Sequence, residues 1–265
     1  MSAVPQPEDI YRNAVEEGRR RLQRPVVEEV STALAAGFDI AAGITVLGLV
    51  GALLSEHYGV HGAHFFASIG FGVGFVFLVV GRGELFTENF LVPLAGFDHQ
   101  ERTSWWSLLK LWTISPVFNV LGGTLIIVFL TVHGVLPHGT ATPILDAAEK
   151  IHEKSVLTLF VSAVFAGALI TAMTWFVEGN EQMGVRLSVA WVAGAILALG
   201  GFNHVIVVTL ELVYAIRFGS HIPAAFVVGN FFLAVAGNML GGVGLVTLNR
   251  ITQGKSGGNA RSRRA

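Results

Sequence analysis

Six stretches of this chain, residues 32–54, 63–80, 111–132, 155–177, 187–210 and 222–248, are apolar over roughly the 20 residues that a helix needs to cross a bilayer core. Hydrophobic residues make up 52% of the chain and charged ones 13%, where a soluble domain has about 25% charged, which argues against a water-soluble globule. A net charge of −1 offers no basic surplus for nucleic acid. With no cysteine there are no disulfides, thiolate metal ligands or thiol nucleophiles. The expected class is an all-α integral membrane protein with six transmembrane helices.

The chain reads in three parts. Residues 1–26 set apolar Ile10, Tyr11, Ala14 and Val15 among charges, as an amphipathic cytoplasmic segment does, and lack the apolar core of a cleavable signal peptide. Residues 27–250 hold the spans, and 251–265, small, polar and basic, read as a flexible cytoplasmic tail. Thirteen Lys and Arg fall on the side of the termini, against Lys150, Lys154 and Arg217 on the other, with Arg82 set aside within the membrane. The positive-inside rule then puts both termini in the cytoplasm, for a multi-pass protein of the inner (plasma) membrane. An offset of 119 residues superposes Gly48 on Gly167, Gly81 on Gly200, Asn119 on Asn238, and Gly122-Gly123 on Gly241-Gly242. Two halves of three spans must cross in opposite senses, an inverted 3+3 repeat, which is a transporter plan with its site near the midplane.

Span two is interrupted by Gly81-Arg82-Gly83-Glu84 and resumes at Leu85; span five is interrupted by Gly200-Gly201-Phe202-Asn203-His204. Irregular backbone at membrane depth is tolerated only inside protein or against a water-filled cavity, so both helices are expected to be broken. The positively polarised amides of two half-helices would then converge on a small anion. His204, the one histidine deep in a span, reads as a proton donor within that site, the other reading being a buried neutral ring bonded to backbone. Thr87 either bonds the solute or His204, or caps the resumed helix. Glu84 and Glu88 fall in its first turn, where Arg82 pairs with them or they line the pore. Phe71 and Phe75, four apart on one face, form an apolar constriction or ordinary aromatic packing. His57, His61 and His64 share a face if their loop is helical, but no carboxylate cluster joins them, so neither a metal nor a cofactor is expected.

These strings resemble the formate/nitrite transporter family. The resemblance rests on Gly83-Glu84-Leu85-Phe86-Thr87 in the second span, Gly200-Gly201-Phe202-Asn203-His204 in the fifth, and Gly237-Asn238-Met239-Leu240-Gly241-Gly242-Val243 in the sixth, and extends over roughly residues 25 to 250. It implies an aquaporin-like protomer in a homopentamer, one pore per subunit, passing small monovalent anions such as formate and nitrite. It makes His204 the central histidine, Thr87 its loop partner, and Leu85 and Phe86 part of the mobile loop. Phe71, Phe75 and Leu197 become constriction residues, Phe202 and Asn203 the histidine's neighbours on the pathway, and Lys154 the vestibule lysine. The chain departs from the family pattern at Arg82, where glycine is usual, at Glu88, where Gly or Ser is usual, and at Thr171, which replaces an asparagine of the fourth span.

The expected function is therefore passage of a small monovalent anion, with or without a proton, rather than catalysis. Basic vestibules attract the anion, apolar necks strip its water, and His204 neutralises it, because an isolated charge in a low-dielectric constriction costs several kcal/mol. The partners are the solute, the proton, the lipid bilayer and further copies of the chain. A neutral-solute or altered-selectivity pore is the alternative, given the crowding of Arg82, Glu84 and Glu88. A membrane enzyme or haem protein would need several inward histidines or carboxylates in one layer.

Overall fold

The computed structural model describes residues 5–97 and 102–262, apart from the side chains of 102–104 and 257–262. Among the described residues all regular structure is helical. The first two apolar stretches run as one element, α2 (Val26–Gly81), of 56 residues. At 1.5 Å per residue that is about 84 Å, far more than the ~30 Å of a bilayer core. The helix doubles back at Gly59, whose φ of 65° and ψ of 176° belong to a region open only to glycine. Its arms lie backbone to backbone: a side chain on Gly43 would meet the Phe71 carbonyl, and one on Gly74 the Asp39 carbonyl.

α4 (Arg102–Leu130) packs on the first arm of α2, with Gly37 seated on the Asn119 carbonyl and Gly122 on the Leu34 carbonyl. The same contact recurs between α6 (Val156–Glu178) and the helix formed by α9 (Ala224–Met239) and its π-helical continuation Leu240–Thr247. There Gly167 sits on the Asn238 carbonyl and Gly241 on the Val164 carbonyl. Small residues let backbones approach this closely, which is how helices associate where lipid removes the hydrophobic drive. These contacts correct the register of the repeat. In the first span of each half they pair Gly37, not Gly48, with Gly167, an offset of 130, whereas 119 holds from the breaks onward. The first half spends the difference in its longer hairpin.

α7 (Met183–Leu199) and α8 (Val205–Arg217) make the fifth apolar stretch. A helix not anticipated, α5 (Ala141–His152), joins the halves and packs on α8 and α2. At the other face α1 (Pro7–Leu22) presses Ala14 and Gly18 onto the short α3 (Val92–Ala95). The last stretch is helical in α10 (Leu248–Ser262), where Gly254 meets Tyr11 of α1.

Candidate functional site

Both expected breaks are present. Arg82 ends α2 at φ 54°, ψ 33°, and Gly201, 119 residues on, takes φ 54° after α7. That conformation costs a non-glycine residue roughly 1–2 kcal/mol, so the first half bears a strain the second avoids. Beyond the break α8 is a 13-residue helix, whereas the first half resumes only as a 3-10 turn, Phe86–Asn89, and the four-residue α3. Pro93 accounts for this. It has no N–H for the Asn89 carbonyl, which instead accepts the Trp112 indole N–H at 2.8 Å.

The two breaks do not leave all their amides open to an anion, because side chains occupy two of them at each break. Phe86 N–H donates to Asn119 Oδ1 and Val205 N–H to Asn238 Oδ1, each at 2.9 Å. Asn119 Nδ2 donates to the Ala33 and Glu84 carbonyls (2.9 and 3.0 Å), and Asn238 Nδ2 to those of Ala163 and Asn203 (2.8 and 3.1 Å). Each asparagine thus ties its broken loop to the first span of its own half. The repeated string marked them; their partners lie tens of residues away and carry no local signal. Leu85 N–H donates to the Glu88 carboxylate at 2.9 Å, and Val207 N–H to His204 Nδ1 at 3.3 Å.

His204 is fully buried and caps α8, and its Nε2 lies 2.8 Å from Thr87 Oγ1. Since Nδ1 accepts a backbone N–H, the proton of the neutral ring resides on Nε2 and is donated to Thr87. The Thr87 hydroxyl keeps its own proton to offer elsewhere. Thr171 Oγ1 donates to the Thr87 carbonyl at 3.4 Å, so the residue replacing asparagine still reaches the loop. Leu85, Phe86, Phe71, Phe75 and Leu197 are all buried in one apolar cluster. Phe90, not anticipated, joins it edge-on to Phe86 at 4.8 Å and faces Gly242. Asn203 is held in an amide pair with Asn230 (2.8 and 3.1 Å), and half-buried Phe202 leans on Phe165 at 4.5 Å.

This buried layer separates two cavities. The one on the side of the termini measures about 220 Å³, the opposite one about 830 Å³. Neither is a basic vestibule. Four carboxylates face four arginines in the smaller, and Glu56, Asp146 and Glu211 outnumber Lys150 and Lys154 in the larger. The added acids arrive with α1, which brings Glu17, and with α5 and α8, which bring Asp146 and Glu211. Lys154 Nζ donates to the Gly201 carbonyl at 2.7 Å; burial pushes its ammonium below the ordinary lysine value, against the pull of Glu211. Leu197 and Phe202 also line this cavity.

The loop ion pair is corrected in its cation. Glu84 pairs with Arg24, with Arg21 at 3.3 Å and with Arg20 at 3.8 Å, because α1 folds back under the loop; Arg82 stays exposed. Arg21 also donates to Asn89 Oδ1 at 2.9 Å, and Glu88 serves as the cap on Leu85. In α1, burial opposes the charge on Glu17, but Arg20 and Arg21 overcome it and hold its carboxyl down at about 2. His64 Nε2 lies 3.3 Å from the Leu199 carbonyl, and among the described residues no three metal-ligating side chains converge.

The formate/nitrite transporter profile matches residues 8–251. The chain belongs to the formate/nitrite transporter family. It is 24% identical over 242 residues to the inner membrane protein YfdC of Escherichia coli (strain K12), an alignment covering 90% of this chain and 76% of that protein. A solved pentameric formate channel with formate bound superposes with a TM-score of 0.67 at 18% identity, over 84% of this chain and 95% of the channel. An FNT family ion channel superposes at 0.71 and 17% identity, over 92% and 96%. The fold is that of a formate/nitrite transporter, a helical membrane protein.

Proposed function

We propose that this transporter passes small monovalent weak acids such as formate or nitrite, anion and proton together, across the buried layer between its two cavities. In this reading the chain crosses the membrane six times as two inverted halves, with both termini cytoplasmic, and works as a homopentamer with one pore per subunit. The observation that carries it is the Thr87–His204 contact, fully buried, joining the two broken loops. A permeant entering that layer would meet the Thr87 hydroxyl first, with the imidazole behind it fixing the hydroxyl's direction. Leu85, Phe86, Phe71, Phe75, Phe90 and Leu197 would strip its water, and a bare anion there costs several kcal/mol that a proton largely removes. The formate bound in the related pentameric channel supports this choice of solute.

The test is flux into liposomes holding the purified protein. Formate and nitrite should enter faster at acid than at neutral pH, and His204→Ala should cut that flux about tenfold or more. Urea or glycerol entering as fast as formate would instead favour a neutral-solute pore, which the lack of a basic surplus in either cavity supports.

A further inference from the structure

Glu211 stands on α8 seven residues after His204, two turns along the same face, and lines the larger cavity. It is only 8% exposed. Among the described residues no hydrogen bond and no contact ion pair reaches its carboxyl group; Lys154 acts on it at longer range, its own ammonium being held by the Gly201 carbonyl. The other titratable groups facing this cavity are Glu56 and His64 from α2, His138 before α5, and Asp146 and Lys150 on α5. Glu56, His138, Asp146 and Lys150 are exposed at its rim, whereas Glu211 lies deep. Its carboxyl group faces the cavity, and it offers an acceptor oxygen in either protonation state. The protein wall gives it no donor, so it is free to accept a hydrogen bond from a solute that enters the cavity.

We propose that Glu211 is a specificity-determining residue of the passage, accepting the acidic O–H of the protonated solute and turning away its bare anion. Lys154 draws the anion toward the cavity, and Glu211 admits it to the buried layer only once it carries its proton. The inference rests on the transport reading above.

The experiment compares wild type, Glu211→Gln and Glu211→Asp in liposomes, with equal elution of the oligomers as the folding check. Influx of formate, chloride and methylammonium is followed from about pH 5 to about pH 8, a range within which carboxyl and imidazole groups in proteins titrate. Chloride is the anion of a strong acid and never arrives protonated. Glu211→Gln should raise the chloride-to-formate ratio about tenfold and flatten the pH profile of formate entry, since an amide presents donors to an anion. Glu211→Asp should keep the wild-type ratio. An unchanged ratio and profile in Glu211→Gln overturns the proposal, and so does methylammonium influx that exceeds that of formate and collapses in Glu211→Gln, because the carboxylate would then be reading a cation. If the wild type admits no formate at any pH, the transport reading falls and takes this one with it. Failure of the Glu211 role alone looks different, with formate entry intact and indifferent to the substitution. Should Glu211→Gln not assemble, carbodiimide labelling of wild-type Glu211 read by mass spectrometry replaces it. Formate but not chloride should slow the labelling at acid pH, and equal labelling refutes the role.

Discussion

Asn119→Ala and Asn238→Ala are the substitutions that weigh most on the architecture of the two broken loops. Each asparagine makes three buried hydrogen bonds. The Ala33 and Ala163 carbonyls lie within helices and lose little with their extra donor. The loop groups, Phe86 N–H and the Glu84 carbonyl in one half, Val205 N–H and the Asn203 carbonyl in the other, have no second partner among the described residues. Leaving one buried donor and one buried acceptor unmet, at about 1–3 kcal/mol each, predicts a loss of about 4 kcal/mol for either variant. The loops meet through Thr87 and His204, so once either is loosened that bond is already weakened. The double variant should therefore cost less than the sum of the singles by about 1 kcal/mol. Unfolding in mixed micelles, followed by tryptophan fluorescence, measures all three. If both single variants fall within about 1 kcal/mol of wild type, below even the lower bound for two unmet groups, the loops are held by something else.

Further expectations follow from single contacts. Thr87→Val keeps the shape and removes the hydroxyl, so formate influx should drop about tenfold while Thr87→Ser retains it; equal influx in all three proteins removes Thr87 from the pathway. Gly241→Ala drives a methyl group into the Val164 carbonyl and Gly122→Ala into that of Leu34, and each should lower stability by about 1–3 kcal/mol or prevent assembly, measured by the same unfolding. Arg82→Gly relieves the left-handed strain of about 1–2 kcal/mol, partly offset by the greater freedom of glycine in the unfolded chain, so its unfolding midpoint should equal or exceed that of wild type. The Glu17 carboxyl is held below its ordinary 4.5, at about 2, so its stabilising contribution is present above pH 4.5 and is lost as the pH falls toward 2. Over that window cleavage of α1 by an acid protease should accelerate in wild type and be already fast in Glu17→Gln; identical acceleration in both removes Glu17 as the cause.

The membrane class, the two breaks and the family were legible along the chain because each rests on a local property. Apolar length identifies a span, and Gly81, Gly83, Gly200 and Gly201, paired and set beside charged or polar residues, mark where a span is interrupted. His204 was visible for the same reason, as an ionisable residue beside a break. Its bond to Thr87 was one of two readings that spacing left open, and geometry chose between them. The Arg82 pairing failed because proximity in sequence is a weak guide to ion pairs. α1 and the turn that follows it bring Arg20, Arg21 and Arg24 beside Glu84 from about 60 residues away, which no periodicity announces.

What a chain encodes locally, helix length, helix breakers and residues too small to keep backbones apart, was enough to name the class and mark the interrupted spans. Which groups answer one another across the fold depended on how the hairpin of α2 closes at Gly59 and where α1 and α5 come to rest. Those arrangements assign Asn119 and Asn238 to the loops, give Glu84 its arginines and turn Glu211 into a cavity. The reason is physical: a propensity acts over a few residues of backbone, whereas a hydrogen bond or charge pair exists only when two distant segments have been brought within about 3 Å, and that distance is a property of the packed whole.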